Sequence, residues 1–204
     1  EYGKAKFLDH LETEIGRAKA RCPDAHYVGI ADGAKGNWEF LGRHTDVQVT
    51  DFWHAAEYLG KAAVVIYRGH PRTKEAWLED ACHRLKHDEG GAEWVLKQLR
   101  RLARERPWAK GDEDVQRAIT YFANQSGAGR MDYSSRVAAN EPIGSGVTEA
   151  ACKVIVKQRL CGSGMKWTEE GAAVVLSLRA LSHTPERWEQ VWSKVGRWGF
   201  PVAA

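Results

Sequence analysis

Three short runs in this sequence carry residue types that can do chemistry together. The longest is Gly144-Ser145-Gly146-Val147-Thr148-Glu149-Ala150-Ala151-Cys152-Lys153. Its glycines flank a serine placed to cap a following helix, so Glu149 falls in the first turn. Lys153 and Lys157 follow at four-residue steps on the same helix face, while Val147, Ala151, Val154 and Ile155 face elsewhere and can bury. A carboxylate at a helix start with a basic face behind it suits a site that holds a divalent cation and a phosphodiester backbone together. The same pattern equally serves a carboxylate that favours the positive end of a helix and pairs with nearby lysines.

The second run is Ile30-Ala31-Asp32-Gly33, with an aspartate where an apolar segment stops. Such a residue often simply starts a turn. The third is Asp51-Phe52-Trp53-His54 at a helix start, where Asp51 and His54 point to one side. His54 can contact a phosphate or a metal-bound water, or make a hydrogen bond in the capping turn. Asp32, Asp51 and Glu149 together form a candidate carboxylate cluster. Hard cations such as Mg²⁺ take few carboxylates plus water and phosphate oxygens. Two such ions can activate a nucleophilic oxygen and stabilise the leaving oxygen of a phosphodiester.

These residues need elements to position them. Residues 4–20 read as an amphipathic helix, with Phe7, Leu8, Leu11 and Ile15 at helical spacing, ended by Cys22-Pro23-Asp24. Residues 26–31 read as a buried strand closed by Asp32-Gly33. A second strand is expected around 46–50, then a helix over 52–66 with Asp51 as its N-cap. Residues 35–44 read only as a connection. Strand, connection, strand, helix is the pattern of a mostly parallel α/β sheet, in which functional groups sit beyond the carboxyl ends of the strands. Asp32 and Asp51 share one edge if the two strands run parallel. Residues 73–88, 90–106 and 111–125 read as helices, and 147–160, 168–182 and 185–196 as further helices, with Thr168 as an N-cap. The expected organisation is residues 1–70 (helix, two strands, helix), 71–129 (a helical insertion) and 130–204 (the Glu149 helix and the C-terminal helices).

Composition narrows the classes. The chain has 204 residues, 43% hydrophobic and 28% charged, which is ordinary for a globular protein. No apolar run approaches a membrane span, and the chain opens at Glu1 with no charged-then-apolar leader, so neither a membrane protein nor secretion is expected. The formal charge of +3 is modest for a nucleic-acid binder, so local clusters must carry that argument. Arg100, Arg101, Arg104 and Arg106 form one cluster, readable as a solvated helix face. Lys153, Lys157 and Arg159 form another. Cys22, Cys82, Cys152 and Cys161 make no CxxC pair, which argues against structural zinc and against a disulfide framework. Cys82, His83 and His87 have helical metal-ligand spacing but more simply pack. The nine tryptophans are expected mostly in the core and at helix contacts.

The runs Ile30-Ala31-Asp32-Gly33-Ala34, Val49 to Leu59 and Pro142 to Lys153 resemble ISKra-type insertion-sequence transposases. Lys157-Gln158-Arg159-Leu160-Cys161-Gly162-Ser163-Gly164-Met165-Lys166-Trp167 and Leu178-Arg179-Ala180 extend the resemblance over nearly the whole chain. It implies a helix-rich α/β, ribonuclease H-like fold with a helical insertion between the second Asp and the Glu of an Asp-Asp-Glu triad. It implies two Mg²⁺ or Mn²⁺ ions, with Asp32 as the second Asp and Glu149 as the Glu. Asp51 and His54 match an Asp-x-x-His motif, with His54 at the catalytic site. DNA contacts fall to Lys153, Lys157, Arg159, Lys166 and Arg130. Transposon ends and target DNA are the implied partners, a homodimer is the implied assembly, and the implied location is bacterial cytoplasm at the nucleoid. The triad's first Asp is expected at a strand end upstream of Asp32, where only Asp9 and Asp24 occur. The expectation is therefore a C-terminal part of a longer transposase or a truncated product, inactive alone. A non-catalytic remnant that binds DNA or a partner protein is the alternative.

Overall fold

Val28–Ala31 and Val47–Thr50 form strands β1 and β2. They pair in parallel, Val28 opposite Val47 and Ala31 opposite Thr50. A parallel pair requires a crossover rather than a hairpin. That crossover is helix α2, Lys35–His44, which buries Trp38 and Phe40. The sequence reading missed this helix because Gly36, Asn37 and Gly42 interrupt its periodicity, and burial against the sheet overrides weak local propensity. Gly29 permits the close approach: a Cβ there would lie 2.9 Å from the Thr45 hydroxyl and 3.2 Å from Leu41.

The computed structural model describes residues 3–200 and divides the chain into two compact units, one ending at Ser145 and one starting at Gly146. In the first unit, α1 (Lys4–Arg21) precedes β1, and α3 (Phe52–Ile66) follows β2. Then come α4 (Pro71–His87), α5 (Gly91–Glu105), α6 (Glu113–Gly127) and the short α7 (Tyr133–Ala138), the last not foreseen from sequence. Helix α3 turns Ala55, Leu59, Ala62, Ala63 and Ile66 fully inward. They meet Leu85 of α4, Val95 and Leu99 of α5, Val115 and Phe122 of α6, and Tyr133 of α7, in a cluster that also takes in Val49 and Phe52. The helices of 71–129 therefore share one core with the end of the sheet. Near the end of α3, where carbonyls lack full helical partners, Val65 O accepts from the Arg68 N–H at 3.3 Å, and the loop after α5 adds further donors. Trp108 Nε1 donates to Val65 O at 3.1 Å, and Arg106 donates to Ile66 O while lying over the Tyr67 ring.

Among the described residues, the second unit holds one helix of mixed type and two regular ones. The first runs through α8 (Gly146–Ala151), a π-helical stretch (Cys152–Lys157) and α9 (Gln158–Leu160), where the sequence pattern had predicted an unbroken α-helix. Helices α10 (Glu169–Ser182) and α11 (Pro185–Trp198) follow. Thr168 caps α10 as expected, its hydroxyl accepting from the Gly171 N–H at 3.1 Å. Val147, read as able to bury, is 86% exposed. The tryptophans also differ from expectation. Trp38 is buried, but Trp53, Trp108, Trp167, Trp192 and Trp198 are exposed. Among the described residues, no helix is long and apolar enough to cross a membrane.

The packing makes a direct prediction. Leu99→Ala, at a fully buried site, should cost about 2–5 kcal/mol. Urea unfolding should show a lower midpoint at unchanged slope. A midpoint equal to that of the parent chain would remove Leu99 from the core.

Candidate active site

The parallel pairing brings Asp32 and Asp51 to the same edge of the sheet, each one residue beyond the paired Ala31 and Thr50. The Asp51 N–H continues the ladder, donating to Ala31 O at 2.8 Å. Its side chain does two jobs. Oδ1 accepts from the N–H groups of Trp53 (2.8 Å) and His54 (3.1 Å), the N-cap expected of it. Oδ2 accepts from the Ser145 N–H at 2.7 Å and from the Ser145 hydroxyl. Sequence reasoning gave Ser145 to the following helix as a cap, but its hydroxyl donates to Asp51. Asp51 is only 4% exposed. Burial alone would raise its pKa, but the bonds from Ser145, His54 and Trp53 outweigh that and hold the carboxyl below its ordinary value. The incoming chain is bound at two further points. The Phe52 N–H donates to Ile143 O at 2.9 Å, and Gly144 lies so close to Trp53 that a Cβ would meet the indole at 2.9 Å.

Asp32 is exposed and starts a turn. Its Oδ1 accepts from the Ala34 N–H and from the Asn37 amide, both at 3.1 Å. Among the described residues, no hydrogen bond reaches its Oδ2. Gly33 is required twice over: its φ is +110°, and a Cβ would lie 2.8 Å from the Tyr121 ring. The Tyr121 hydroxyl donates to Asp32 O at 3.0 Å, and its ring stacks on Tyr58 at 4.1 Å. Burial first, then Tyr58 and the two aspartates, push the Tyr121 pKa up, so it stays a donor. His54 packs edge-on against Tyr58 and Tyr121, with Nδ1 3.6 Å from Glu57. Asp32, Asp51, His54, Tyr58 and Tyr121 thus gather at one sheet edge. Tyr121 was not foreseen, since its partners lie some ninety residues away in sequence.

In the second unit, Glu149, Lys153 and Lys157 line one open groove of about 760 Å³, together with Gly146, Thr148, Cys152 and Gln158. All three charged groups are exposed. Arg159 is exposed too but lines a different groove, with Trp167 and Trp188. Lys166 is exposed in the loop before α10. Arg130 behaves differently from these bases. Its guanidinium lies over the buried Trp38 ring at 4.4 Å and donates to Gln48 at 2.9 Å, while its carbonyl accepts from the Thr50 N–H at 2.8 Å. Among the described residues, no three His, Cys, Asp or Glu side chains are grouped as a metal-holding set. Cys82, half-buried, has its thiol pKa raised by burial, and the His83 and His87 rings lie against one another at 4.8 Å.

Asp51→Asn should cost about 1–3 kcal/mol, because a single amide oxygen cannot serve both Ser145 and the Trp53 and His54 N–H groups, and the amide NH2 is left facing donors. The sign of the pH effect follows from the depressed pKa. The stabilisation by Asp51 is fully present above the ordinary value of 3.8 and is lost as pH falls through the lower folded value. In acid titrations followed by circular dichroism, Asp51→Asn should lose part of the stability change seen below about pH 4, and an unaltered acid limb would contradict the hydrogen-bond assignment. Gly33→Ala should destabilise by about 1–3 kcal/mol through backbone strain and the Tyr121 contact, measured by thermal unfolding, whereas a neutral effect would refute both constraints.

Comparison of the chain with known protein families, with curated proteins and with solved structures finds no match in any of the three.

Proposed function

We propose that this chain carries catalytic machinery of a metal-dependent DNA transposase of the ISKra type, cleaving and joining phosphodiesters through an Asp-Asp-Glu triad. In this reading β1 delivers the second Asp, Asp32. Helices α4 to α6 are the insertion in a ribonuclease H-like fold, and α8 delivers Glu149. The observation that carries the reading is the pairing of two features. Acidic residues end adjacent parallel strands at one edge, and the Gly144-Ser145 run that leads into the Glu149 helix is bound to one of them, Asp51. Sheet edges of this kind are where α/β folds place their chemistry.

The donor chemistry fits a hard cation. Asp32 has a carboxylate oxygen without an internal hydrogen bond, and Glu149 is an exposed carboxylate on a groove flanked by lysines. Asp51 has both oxygens occupied, which suits a positioning role for it. When bound, a metal pair supplies Lewis acidity toward the attacking and leaving oxygens. The chain's own residues do the rest. Lys153 and Lys157 offer ammonium groups to phosphate oxygens beside Glu149, and His54 offers an imidazole beside Asp51. The family's first Asp has no counterpart at a strand end here: Asp9 lies within α1 and Asp24 in the turn after it.

Mn²⁺ titration followed by paramagnetic broadening of backbone amides tests the metal assignment. Broadening is expected around residues 32 and 149, and Asp32→Ala and Glu149→Ala should each diminish it. Broadening that both variants leave unchanged overturns the assignment. Duplex DNA binding should weaken with salt, and Lys153→Ala should lower the log–log slope by about 0.9. Salt-sensitive DNA binding without metal binding would favour a non-catalytic DNA-binding remnant.

A further inference from the structure

The π-helical stretch in the Glu149 helix leaves a hydrogen-bond imbalance that the chain corrects from elsewhere. The Gln158 N–H reaches back five residues to Lys153 O, while the Cys161 N–H reaches back four to Lys157 O. The Gln158 N–H also approaches Val156 O. A helix that widens from four-residue to five-residue spacing and then narrows again leaves its carbonyls short of well-aligned N–H donors, and an under-satisfied acceptor in a half-buried helix is costly. Arg179, on α10, supplies the missing donors: its Nε donates to Ile155 O at 3.1 Å and its Nη2 to Val154 O. Its planar fork can serve two neighbouring carbonyls at once.

The wide turn changes what the helix presents. With about 3.6 residues per turn, residues four apart drift by about 40° per step, so in a plain α-helix Glu149 and Lys157 would diverge by about 80°. A stretch bonded i to i+5 takes more residues per revolution and cancels drift over the second step. Glu149, Lys153 and Lys157 then share one groove.

We infer that Arg179 is a positioning residue: by holding the wide turn, it sets Lys157 on the same groove as Glu149. The functional part of this inference rests on the reading of that groove as a DNA-backbone contact, whereas the structural part does not. Two variants of the full chain test it. Arg179→Met keeps the packing of the side-chain stem without any donor, and Arg179→Gln has an amide too short to span both carbonyls. Hydrogen-bond scalar couplings by NMR should show the Gln158 N–H moving from Lys153 O to Val154 O in both variants. In salt titrations with duplex DNA, Lys157→Ala should lower the slope by about 0.9 in the parent chain but have no further effect on the Arg179→Met background. An unchanged coupling from Gln158 to Lys153 in either folded variant overturns the inference. Should the parent chain show no salt-dependent DNA binding, the DNA reading fails, and the couplings still decide the role of Arg179.

Discussion

A single carboxylate joins the separate parts of the first unit. Asp51 ends β2, starts α3 and receives Ser145, with all four hydrogen bonds converging on one buried side chain. The strand and helix that flank Asp51, and a segment more than ninety residues away in sequence, thereby acquire fixed mutual positions at the sheet edge. A neutral residue could satisfy the helix start, as serine or threonine does elsewhere. Only an acceptor with two oxygens and no proton can also hold both the N–H and the hydroxyl of Ser145. The depressed pKa follows from this demand: the site is built from donors, and the ionised form is the one that they favour.

The features legible in the sequence are local ones. Asp51 preceding an apolar, alanine-rich helical pattern marks its own cap, and Asp32-Gly33 after an apolar run marks a strand end. The sequence placed the two aspartates on one edge only on condition that the strands run parallel, and the structure meets that condition. Helix α2 was not legible, because its glycines and asparagine hide a helix that exists to cover the sheet. The π stretch was not legible either, since the sequence Cys152 to Lys157 favours an ordinary helix and its partner, Arg179, lies more than twenty residues away. Spacing alone leaves Asp32 and Glu149 open between chemistry and turn or helix-end electrostatics, and the catalytic roles proposed for them rest on the resemblance of their flanking runs.

The arginines illustrate why charge counts mislead. Arg106, Arg130 and Arg179 all donate to partners within the chain, and two of the three also lie on aromatic rings. They act as rigid, multivalent donors: Arg106 and Arg179 serve backbone carbonyls, and Arg130 serves the Gln48 side chain. The bases left facing outward around Glu149 are Lys153 and Lys157, compact charges on flexible stems.

The wide turn in the Glu149 helix also separates two quantities that are usually tied together, the number of residues in a helix and its length. A stretch bonded i to i+5 stores one residue more than an α-helix of the same rise. Loss of a residue between Cys152 and Lys157 can therefore be absorbed as a change of helix type, leaving Gly146 and α10 where they are along the axis. The face carrying the lysines would rotate, however. Within this segment, variation in chain length acts as a dial on the orientation of charge, with the packing of the neighbouring helix as the fixed frame.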